Sequence, residues 1–452
     1  MPNKNNIPSI RFKGFNQEWE ETAISSKASF SKGKGYSKAD IEQTGEPLLL
    51  YGSLYTDYKT NINDVTTFAK KKEGSVVSTG KEVVVPASGE TAEDIARASA
   101  ILKDGIILGG DLNVITTDDS VDKSYFALEL TYGKSHDKLV KKAQGISVVH
   151  LHNSDIQQLN ILLPKFAEQQ KIGTFFATLD ELIAAKEQEL EKLRQLKAAL
   201  LQQMFPSDEN DNTNRVGYND LIINQLDKLK MTISTTPNTP RIRFKGFTEP
   251  WERKKLDDVM DCSLKHYSHS RDKLTMEKGQ VATIHYGDIL VKFGNIVSVD
   301  SDSLPYIINF NSKDYYSAIL KNGDIIIADT AEDETTGKAI EIQGINSEYV
   351  VAGLHTIVAR PKEEYAPYFW GYFFNSNLYH NQLLPLMQGT KVLSINKTAL
   401  GSTMLYFPIQ RTEQQLIGDF FREQDSHINA ANEQINKLKT IKQALLQKMF
   451  AA

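Results

Sequence analysis

The stretch EQQKIGTFFATLDELIAAKEQELEKLRQLKAALLQQMF, residues 168–205, occurs twice in this chain. Residues 413–450 read EQQLIGDFFREQDSHINAANEQINKLKTIKQALLQKMF, and half of the 38 aligned positions are identical without a gap. Both copies open on Glu-Gln-Gln, keep a glycine and a Phe-Phe pair at the same distances, and close on Met-Phe. A repeat of this length predicts a duplicated structural unit.

Apolar residues recur every three and four residues in both copies, which is the heptad spacing of a helix that packs along one seam. Because both copies carry the same face, we expect the helices to pair as an antiparallel coiled coil with pseudo-two-fold symmetry; two amphipathic helices that each pack on their own domain are the alternative. Lysine at one seam position of each copy would select a single register. The predicted seam residues are Leu179, Ile183, Leu190, Leu193, Lys197, Leu200 and Met204, and Ile428, Ile435, Leu438, Lys442, Leu445 and Met449.

Between the repeated motifs lie two stretches that differ from each other, which we call the variable domains. A shorter repeated motif precedes each of them. Ile10-Arg-Phe-Lys-Gly-Phe15 returns at residues 242–247, and Trp-Glu follows in both copies. The plan is a leader, a variable domain and a long helix, repeated once. The predicted segments are 1–163 (leader and first variable domain), 164–205 (first helix), 206–240 (a linker rich in Asn, Asp, Ser, Thr and Pro), 241–407 (second leader and variable domain) and 408–452 (second helix). Residues 221–231 in the linker are compatible with a short helix.

The variable domains have the pattern of mixed helix and sheet. Short β-branched runs at residues 82–85, 106–108, 324–327 and 354–358 alternate with loops rich in Gly, Ser and charge. We therefore predict an α/β (α+β) fold with two tandem domains and two long helices.

Composition limits the possible functions. At 452 residues the chain is long enough for two hydrophobic cores. The single cysteine, Cys262, excludes an intrachain disulfide, and no apolar run suggests a signal peptide or a membrane span, so we expect a cytoplasmic protein. A net charge of -5 argues against a protein that coats DNA through bulk electrostatics.

Polar loops in both variable domains carry groups suited to DNA. Lysine and arginine bind phosphates or guanine edges, carboxylates accept from cytosine, and glycine lets backbone amides approach phosphate oxygens; a solvated loop is the alternative for each residue. The candidates are Lys32, Lys34, Tyr36, Lys38, Ser53, Tyr55, Ser88 and Glu90 in the first domain, and Lys265, His266, Arg271, Tyr286, Lys292, Thr330 and Glu332 in the second.

Catalytic signatures are missing from the sequence. It contains no P-loop, no Gly-x-Gly-x-x-Gly, no His-Glu-x-x-His, no Gly-x-Ser-x-Gly and no Asn-Pro-Pro-[Tyr/Phe] tetrapeptide. We predict no catalytic residue and no metal site. Two alternatives remain: a stand-alone methyltransferase or nuclease that uses carboxylates such as Glu90, Asp94, Glu332 and Asp333, and a coiled-coil scaffold with no role on DNA.

The repeated motifs resemble those of the DNA-specificity subunits of Type I restriction-modification enzymes. The resemblance rests on the leader with its Trp-Glu, on a Gln-Gly pair followed twenty residues later by Pro, and on the helix that runs from Glu-Gln to Met-Phe. It covers nearly the whole chain, twice. The insert between the copies is longer than is usual in this family.

The resemblance implies that each variable stretch is a target recognition domain for one half of a split DNA site. It also implies that the helices set the spacer and bind two modification subunits. The chain would then be non-catalytic and hold no cofactor, since methylation and restriction belong to partner subunits that use S-adenosylmethionine, ATP and magnesium. Gln144, Gln388 and Lys391 join the candidate DNA contacts on this basis.

Overall fold

In the computed structural model the chain divides into two compact units, Met1–Gln188 with Asn432–Ala452, and Glu189–Ala431. The residues described are 6–145, 148–205, 226–234, 239–308 and 318–450. Within these ranges, no helix has the length and apolarity needed to cross a membrane. Each long helix contributes residues to both units, whereas the sequence predicts each helix as a separate segment.

The first unit contains a five-stranded and a four-stranded sheet. In spatial order, the five-stranded sheet consists of Ala28–Lys32, Leu112–Thr117, Glu82–Pro86, Ser99–Ile101 and Asn61–Ile62. The four-stranded sheet consists of Phe68–Ala69, Glu46–Leu49, Asp104–Leu108 and Val77–Thr79. Two-stranded ladders join Glu20–Ala23 to Asn160–Leu163 and Ser88–Gly89 to Val149–His150. The shorter helices are Ser53–Thr56, Ala92–Ile95, Lys123–Tyr132, Lys134–Lys142 and Asn153–Gln157.

The second unit repeats the topology of the five-stranded sheet, whereas the four-stranded sheets differ: the parallel strand pair is central in the first unit and lies at one edge in the second. Its five-stranded sheet consists of Met260–Asp261, Thr356–Pro361, Ile325–Ala328, Ala339–Gln343 and Ile296–Ser298, and in both units the last strand alone pairs in parallel. Its four-stranded sheet consists of Leu274–Thr275, Tyr306–Ile307, Val281–Ile284 and Tyr349–Ala352. Ladders join Glu252–Lys255 to Met404–Phe407, Thr330–Ala331 to Leu393–Ser394 and Met231–Ile233 to Ile242–Phe244. The shorter helices are Leu256–Val259, Tyr286–Val291, Phe369–Phe373, Asn377–Leu383 and Lys397–Gly401.

The predicted mixture of helix and sheet is confirmed. The β-branched run at residues 82–85 lies in a strand whose side chains are all buried, as does the run at 325–327. Two of the runs begin before their strands. The strand within 324–327 begins at Ile325, and the strand within 354–358 begins at Thr356, because His355 adopts a left-handed backbone conformation that ends the preceding turn.

The predicted linker lies largely outside the described residues. Of the short helix considered for residues 221–231, only 226–231 are described, and they are not helical. Residues 226–230 form a turn, and Met231 begins a strand that pairs with Phe244. Leu226 and Met231 are both buried in the core of the second unit, which explains the apolar residues that suggested a helix.

The two long helices are Phe166–Gln203 and Arg411–Phe450. At 38 and 40 residues, they lie within the segments 164–205 and 408–452 in which the sequence predicts them. They pair in antiparallel fashion: in the first unit Asp180 contacts Lys442 and Glu187 contacts Lys439, so residue numbers rise along one helix as they fall along the other. In the second unit Lys197 contacts Asp425 in the same sense. Every predicted seam residue is buried or half-buried.

The Met-Phe end of each long helix closes the core of the domain that belongs to the other copy. Phe450 packs against Trp19 and Tyr125 of the first domain, with ring centroids 6.3 and 5.6 Å apart. Phe205 packs against Trp251 and Phe369 of the second domain, both at 6.1 Å. The repeated leader tryptophan and the repeated terminal phenylalanine are therefore partners across the two copies.

The Glu-Gln-Gln motif joins the start of each helix to the leader of its own copy. Arg11 forms a two-pronged ion pair with Glu168 at 2.6 and 2.7 Å. Arg243 forms the same pair with Glu413 at 2.6 and 2.8 Å, and the side chains of both residues are almost fully buried. Such planar guanidinium–carboxylate pairs fix orientation as well as position.

The repeated glycine of the helix allows close approach to the domain. A Cβ on Gly173 would lie 2.8 Å from Asp122 Oδ1, and one on Gly418 would lie 2.6 Å from the carbonyl oxygen of Pro367. The preceding glutamine binds the same loops, because Gln169 Oε1 accepts from the Asp122 amide at 2.9 Å and Gln414 Oε1 accepts from the Ala366 amide at 3.0 Å. The repeated residues thus lock each helix to its domain.

Candidate nucleic-acid interface

The polar loops of the two domains are built on one backbone framework. In the first domain the Gly109 amide donates to Leu49 O at 2.9 Å, and in the second the Gly353 amide donates to Ile284 O at 2.8 Å. In the first domain, this bond places the loop after strand Glu46–Leu49 beside the turn that precedes Leu112–Thr117 of the five-stranded sheet. In the second domain, it places the loop after strand Val281–Ile284 beside the turn that precedes Thr356–Pro361. Equivalent positions in the two domains can therefore be compared directly.

The Gln-Gly loops close in the same way in both domains. Gln144 exchanges two backbone hydrogen bonds with His150, at 3.0 and 2.8 Å, and Gln388 exchanges two with Ser394, at 2.9 and 2.8 Å. Gly145 and Gly389 have φ of 144° and 125°, and a Cβ on either would come within 1.9 Å of a carbonyl oxygen three residues later. Only glycine fits this conformation.

In the second domain the four candidate loops are joined by a chain of contacts, and together they form what we call the second polar surface. Arg271 Nη2 lies 3.4 Å from Asp288 Oδ1, which connects the first two loops. The Tyr286 ring packs edge-on against His355 at 5.3 Å, and His355 Nδ1 lies 3.3 Å from Asp329 Oδ1. The next residue, Thr330, pairs with Ser394 of the Gln-Gly loop.

Two groups on the second polar surface are held in unusual surroundings. Burial, reinforced by the nearby Arg271 guanidinium, lowers the pKa of His285, so this imidazole favours the neutral form. Asp288 is nearly buried, and among the described residues its Oδ2 has no hydrogen-bond partner. Buried carboxylate oxygens are normally satisfied, so an unpaired one calls for a structural or functional explanation.

The corresponding loops of the first domain form the first polar surface. Asn153 Nδ2 donates to Ser31 O at 2.7 Å, which holds the strand end that carries Lys32 close to the Gln-Gly loop. The ladder of Ser88–Gly89 with Val149–His150 brings Glu90 to the same place. Tyr51 and Tyr55 pack with ring centroids 6.2 Å apart.

Lys72 supports the loop of residues 33–38 in the first polar surface. Lys72 Nζ donates to Gly35 O at 2.9 Å and to Asp40 Oδ1 at 2.5 Å, and it lies 4.7 Å from the centre of the Tyr36 ring. The hydrogen bond from Lys72, aided by the Ser37 amide, lowers the pKa of Asp40. Tyr36 itself is buried, and its hydroxyl lies 2.6 Å from Ser75 Oγ. It supports the loop from beneath.

The structure places the candidate residues in three groups. The exposed ones are Lys32, Lys34, Lys38, Glu90, Gln144, Lys265, His266, Arg271, Lys292, Glu332, Gln388 and Lys391. Ser53, Tyr55, Tyr286 and Thr330 are half-buried. Tyr36 and Ser88 are buried, the latter in the ladder with His150. We retain the first two groups as candidate DNA contacts.

Two of the four carboxylates considered for a stand-alone enzyme, Asp94 and Asp333, take part in local structure. Asp94 Oδ2 accepts from the Thr91 hydroxyl at 2.7 Å, and Asp94 also pairs with Arg97 at 3.6 Å. Asp333 Oδ1 accepts from the hydroxyl of Thr335 and from its amide at 2.9 Å, and these two hydrogen bonds lower the pKa of Asp333. Within the described ranges, no three His, Cys, Asp or Glu side chains gather in an arrangement that could hold a metal.

Several residues of the two surfaces carry no motif that sequence analysis could recognise. His355 and Asp329 complete the contacts of the second polar surface, and Asp111 occupies the position of His355 in the first domain. Asn153 holds the first surface together through a backbone carbonyl. The one available signal was the register of the repeat, because Asp111 and His355 each follow a glycine by two residues at the start of equivalent strands.

Duplicated domains, each with a polar loop surface and each closed by the long helix of the other copy, define a two-domain recognition protein. Residues 16–195 and 248–440 match the family described as Type I restriction modification DNA specificity domain. The chain belongs to this family. It is a DNA-binding specificity subunit of a Type I restriction-modification system, with two target recognition domains and no catalytic role.

Two relatives come from Methanocaldococcus jannaschii. The Type I restriction enzyme MjaVIII specificity subunit is 23% identical over 431 residues, which cover 94% of this chain and 90% of that protein. The putative MjaX specificity subunit is 24% identical over 204 residues, and the match spans 46% of its length and 45% of this chain. This second match is confined to about half of each protein.

Solved structures share the fold. The S subunit of a Type I restriction-modification system from M. genitalium superposes with a TM-score of 0.57 at 13% identity, covering 99% of both chains. A chain from a structure of complex assembly and conformational transition in a Type I system gives a TM-score of 0.52 at 14% identity, covering 98% of this chain and all of that one. At these identities the likeness establishes the architecture alone.

Proposed function

We propose that this subunit reads a bipartite, asymmetric DNA target, and that each target recognition domain contacts one half-site through its polar surface. The observation that carries the proposal is the repeated framework with unlike side chains. The Leu49–Gly109 and Ile284–Gly353 hydrogen bonds are equivalent, yet the loops beside them carry different charged residues. Two domains that share a backbone framework but carry different side chains suit a DNA target whose two halves differ in sequence.

We propose that lysines and arginine on these surfaces bind the backbone of the DNA, while shorter polar side chains contact bases. Lys32, Lys34 and Lys38 extend from the first domain into solvent, as Lys265 and Lys391 do from the second. Phosphate contacts position a protein on DNA, and contacts to base edges give it sequence preference. The local basic groups reconcile DNA binding with a chain whose net charge is -5.

We further propose that the long helices fix the spacer between the half-sites. Helices of 38 and 40 residues are about 57–60 Å long at 1.5 Å per residue. That length exceeds the ~34–36 Å between DNA-reading elements one helical turn apart. Lys197 and Lys442 each bind an aspartate of the opposite helix, which supports a single fixed register.

Membership of the family and the exposed helix surface support a proposal about the partners. We propose that two modification subunits dock on the helices, and that restriction subunits join this assembly in the cytoplasm. S-adenosylmethionine, ATP and magnesium would act in those partner chains. Leu182, Leu416 and Ile441 are more than two-fifths exposed on the helices, and they supply apolar contacts for such docking.

A footprint of the purified complex on its DNA tests this function. We expect two short sequence-specific protected blocks that flank a stretch of indifferent sequence. A single continuous recognition block would contradict the proposal. Methylation by this chain alone, supplied with a methyl donor and no partner, would instead establish a stand-alone enzyme.

A further inference from the structure

One turn lies at the same place in both domains and carries a different side chain in each. Gly109-Gly-Asp111 leads into strand Leu112–Thr117, and Gly353-Leu-His355 leads into strand Thr356–Pro361. Asp111 and His355 have φ of 58° and 55°. Residues other than glycine seldom adopt this left-handed conformation, although Asp, Asn and His tolerate it best. Backbone conformations of this kind concentrate at functional sites.

The backbone of this turn is held identically in the two domains. The Ala87 amide donates to Asp111 O at 2.8 Å, and the Asp329 amide donates to His355 O at 3.1 Å. The next residues along are also matched, since Leu151 donates to Ala87 O at 3.0 Å and Ile395 donates to Asp329 O at 2.9 Å. The turn is therefore a fixed platform beside the Gln-Gly loop.

The side chains at and around this turn differ between the two domains. His355 lies against the Tyr286 ring and its Nδ1 is 3.3 Å from Asp329 Oδ1, while Thr330 Oγ1 donates to the same carboxylate oxygen at 2.9 Å. A carboxylate at Nδ1 orients the ring and leaves Nε2 as its other hydrogen-bonding atom. In the first domain the residue in place of Asp329 is Ala87, which offers no such partner, so Asp111 presents a carboxylate in place of an imidazole.

The neighbouring Gln-Gly loop, unlike this turn, carries the same exposed residue in both domains. Val148 and Val392, four residues after each glutamine, are both 51% exposed. A feature that is the same in both domains cannot distinguish one half-site from the other. The unlike residues of the neighbouring turn can do so.

We propose that Asp111 and His355 are specificity-determining residues, each contacting a base edge in its own half-site. This inference rests on the proposed function and names the residues that separate the two half-sites. A carboxylate accepts from the exocyclic amino group of cytosine in the major groove. The exposed carboxylate of Asp111 thus favours such a base, while the imidazole of His355, oriented by Asp329, selects a different one.

Selection from DNA randomised in both half-sites tests the inference, with the full chain assembled with its modification subunits. The variants are Asp111→His, Asp111→Asn, His355→Asp and His355→Asn, all of which suit the left-handed turn. Asp119→His makes the same chemical change at an exposed residue outside the first polar surface, and it serves as the control. Thermal melting of each complex confirms that the variants fold.

We expect Asp111→His to change the preferred base at one position of one half-site, by roughly ten- to hundred-fold. His355→Asp should do the same in the other half-site, and Asp119→His should change neither. Unchanged base preferences in both variants would overturn the inference, while a bipartite wild-type target would leave the proposed function intact. Complete loss of DNA binding by both His355→Asp and His355→Asn would also overturn it, because it would assign His355 to general affinity.

Discussion

Lys442 on the second long helix forms an ion pair with Asp180 on the first. Lys197 and Asp425, at the same two positions of the other copy, form the equivalent pair in the second unit. The lysine of each seam thus meets the aspartate that the other copy carries near its start. Polar pairs inside an apolar seam favour one alignment over its neighbours.

The Lys197–Asp425 pair should contribute more to stability than a surface pair on the same helices. Both side chains are at least two-thirds buried, and Tyr372 donates to Asp425 Oδ2 at 2.7 Å, so Lys197→Met would leave the carboxylate with half of its partners. We expect Lys197→Met and Asp425→Asn each to lower the free energy of unfolding by about 1–3 kcal/mol. A double-mutant cycle in urea measures the coupling between the two residues.

The control for that cycle is the Lys439–Glu187 pair, whose side chains are about half exposed. Exposed pairs of this kind contribute roughly 0–1 kcal/mol. Equal coupling energies for the two pairs would show that burial in the seam adds nothing to the Lys197–Asp425 contact.

Gly389→Ala should impair DNA recognition by the second domain while the rest of the domain stays folded. Its φ of 125° is unfavourable for any other residue, and the added Cβ would collide with the carbonyl oxygen of Val392. Gly294→Ala is the matched control, because that glycine has open space around its Cβ and no positive φ. Binding to DNA mutated in each half-site in turn gives the measurement. If both substitutions weaken binding equally, the loop geometry is not required.

Glu129 should make the first unit less stable as the pH rises. Burial raises the pKa of Glu129 from 4.5 to about 8. The folded state therefore keeps a proton that the unfolded state releases, so its contribution to stability is full below about pH 4.5 and is lost as the pH rises towards about 8. Glu129→Gln, which keeps an oxygen acceptor for the Ser135 hydroxyl, should flatten the decline in melting temperature between pH 5 and pH 8. Glu93→Gln, at an exposed residue, should retain the wild-type decline; an unchanged profile in Glu129→Gln would refute the assignment.

Lengthening both helices by one heptad should lengthen the DNA spacer. Seven residues inserted after Gln188 and seven after Ala431 preserve the seam, and they add about 10 Å at 1.5 Å per residue. At 3.4 Å per base pair this corresponds to roughly three base pairs, with both half-site sequences unchanged. Sequencing of DNA selected by the modified complex reports the spacer directly. A spacer of wild-type length would show that the helices do not set it.

The sequence predicts the parts of the fold that repeat. The heptads identify the faces of the two helices because burial along a seam follows a spacing of 3.5 residues, and the positions from Leu179 to Met204 all lie on the less exposed face. It does not reveal that Trp19 packs against Phe450, because both motifs could equally pack within their own copy. Contacts of that kind depend on how the chain returns on itself.

The candidate interface was predicted at the level of loops. Polar composition identified the stretches around Tyr55 and Tyr286, and the family resemblance added the Gln-Gly pairs. Neither distinguishes a polar side chain that faces solvent from one that supports a loop. Tyr36 is the clearest example, since its hydroxyl accepts from the Lys72 amide at 2.6 Å beneath the loop. His355 was missed for the converse reason: its left-handed conformation depends on a hydrogen bond from Asp329, which is distant in sequence.

The most direct test of the two-reader function replaces the variable part of one domain. Residues 27–150 are exchanged for the corresponding region of another specificity subunit, and the methylated sequences of cells that carry the complete complex are mapped before and after the exchange. The expected result is a bipartite target in which one half-site changes while the other half-site and the spacer stay the same. A change in both half-sites, or in neither, would contradict independent reading by the two domains.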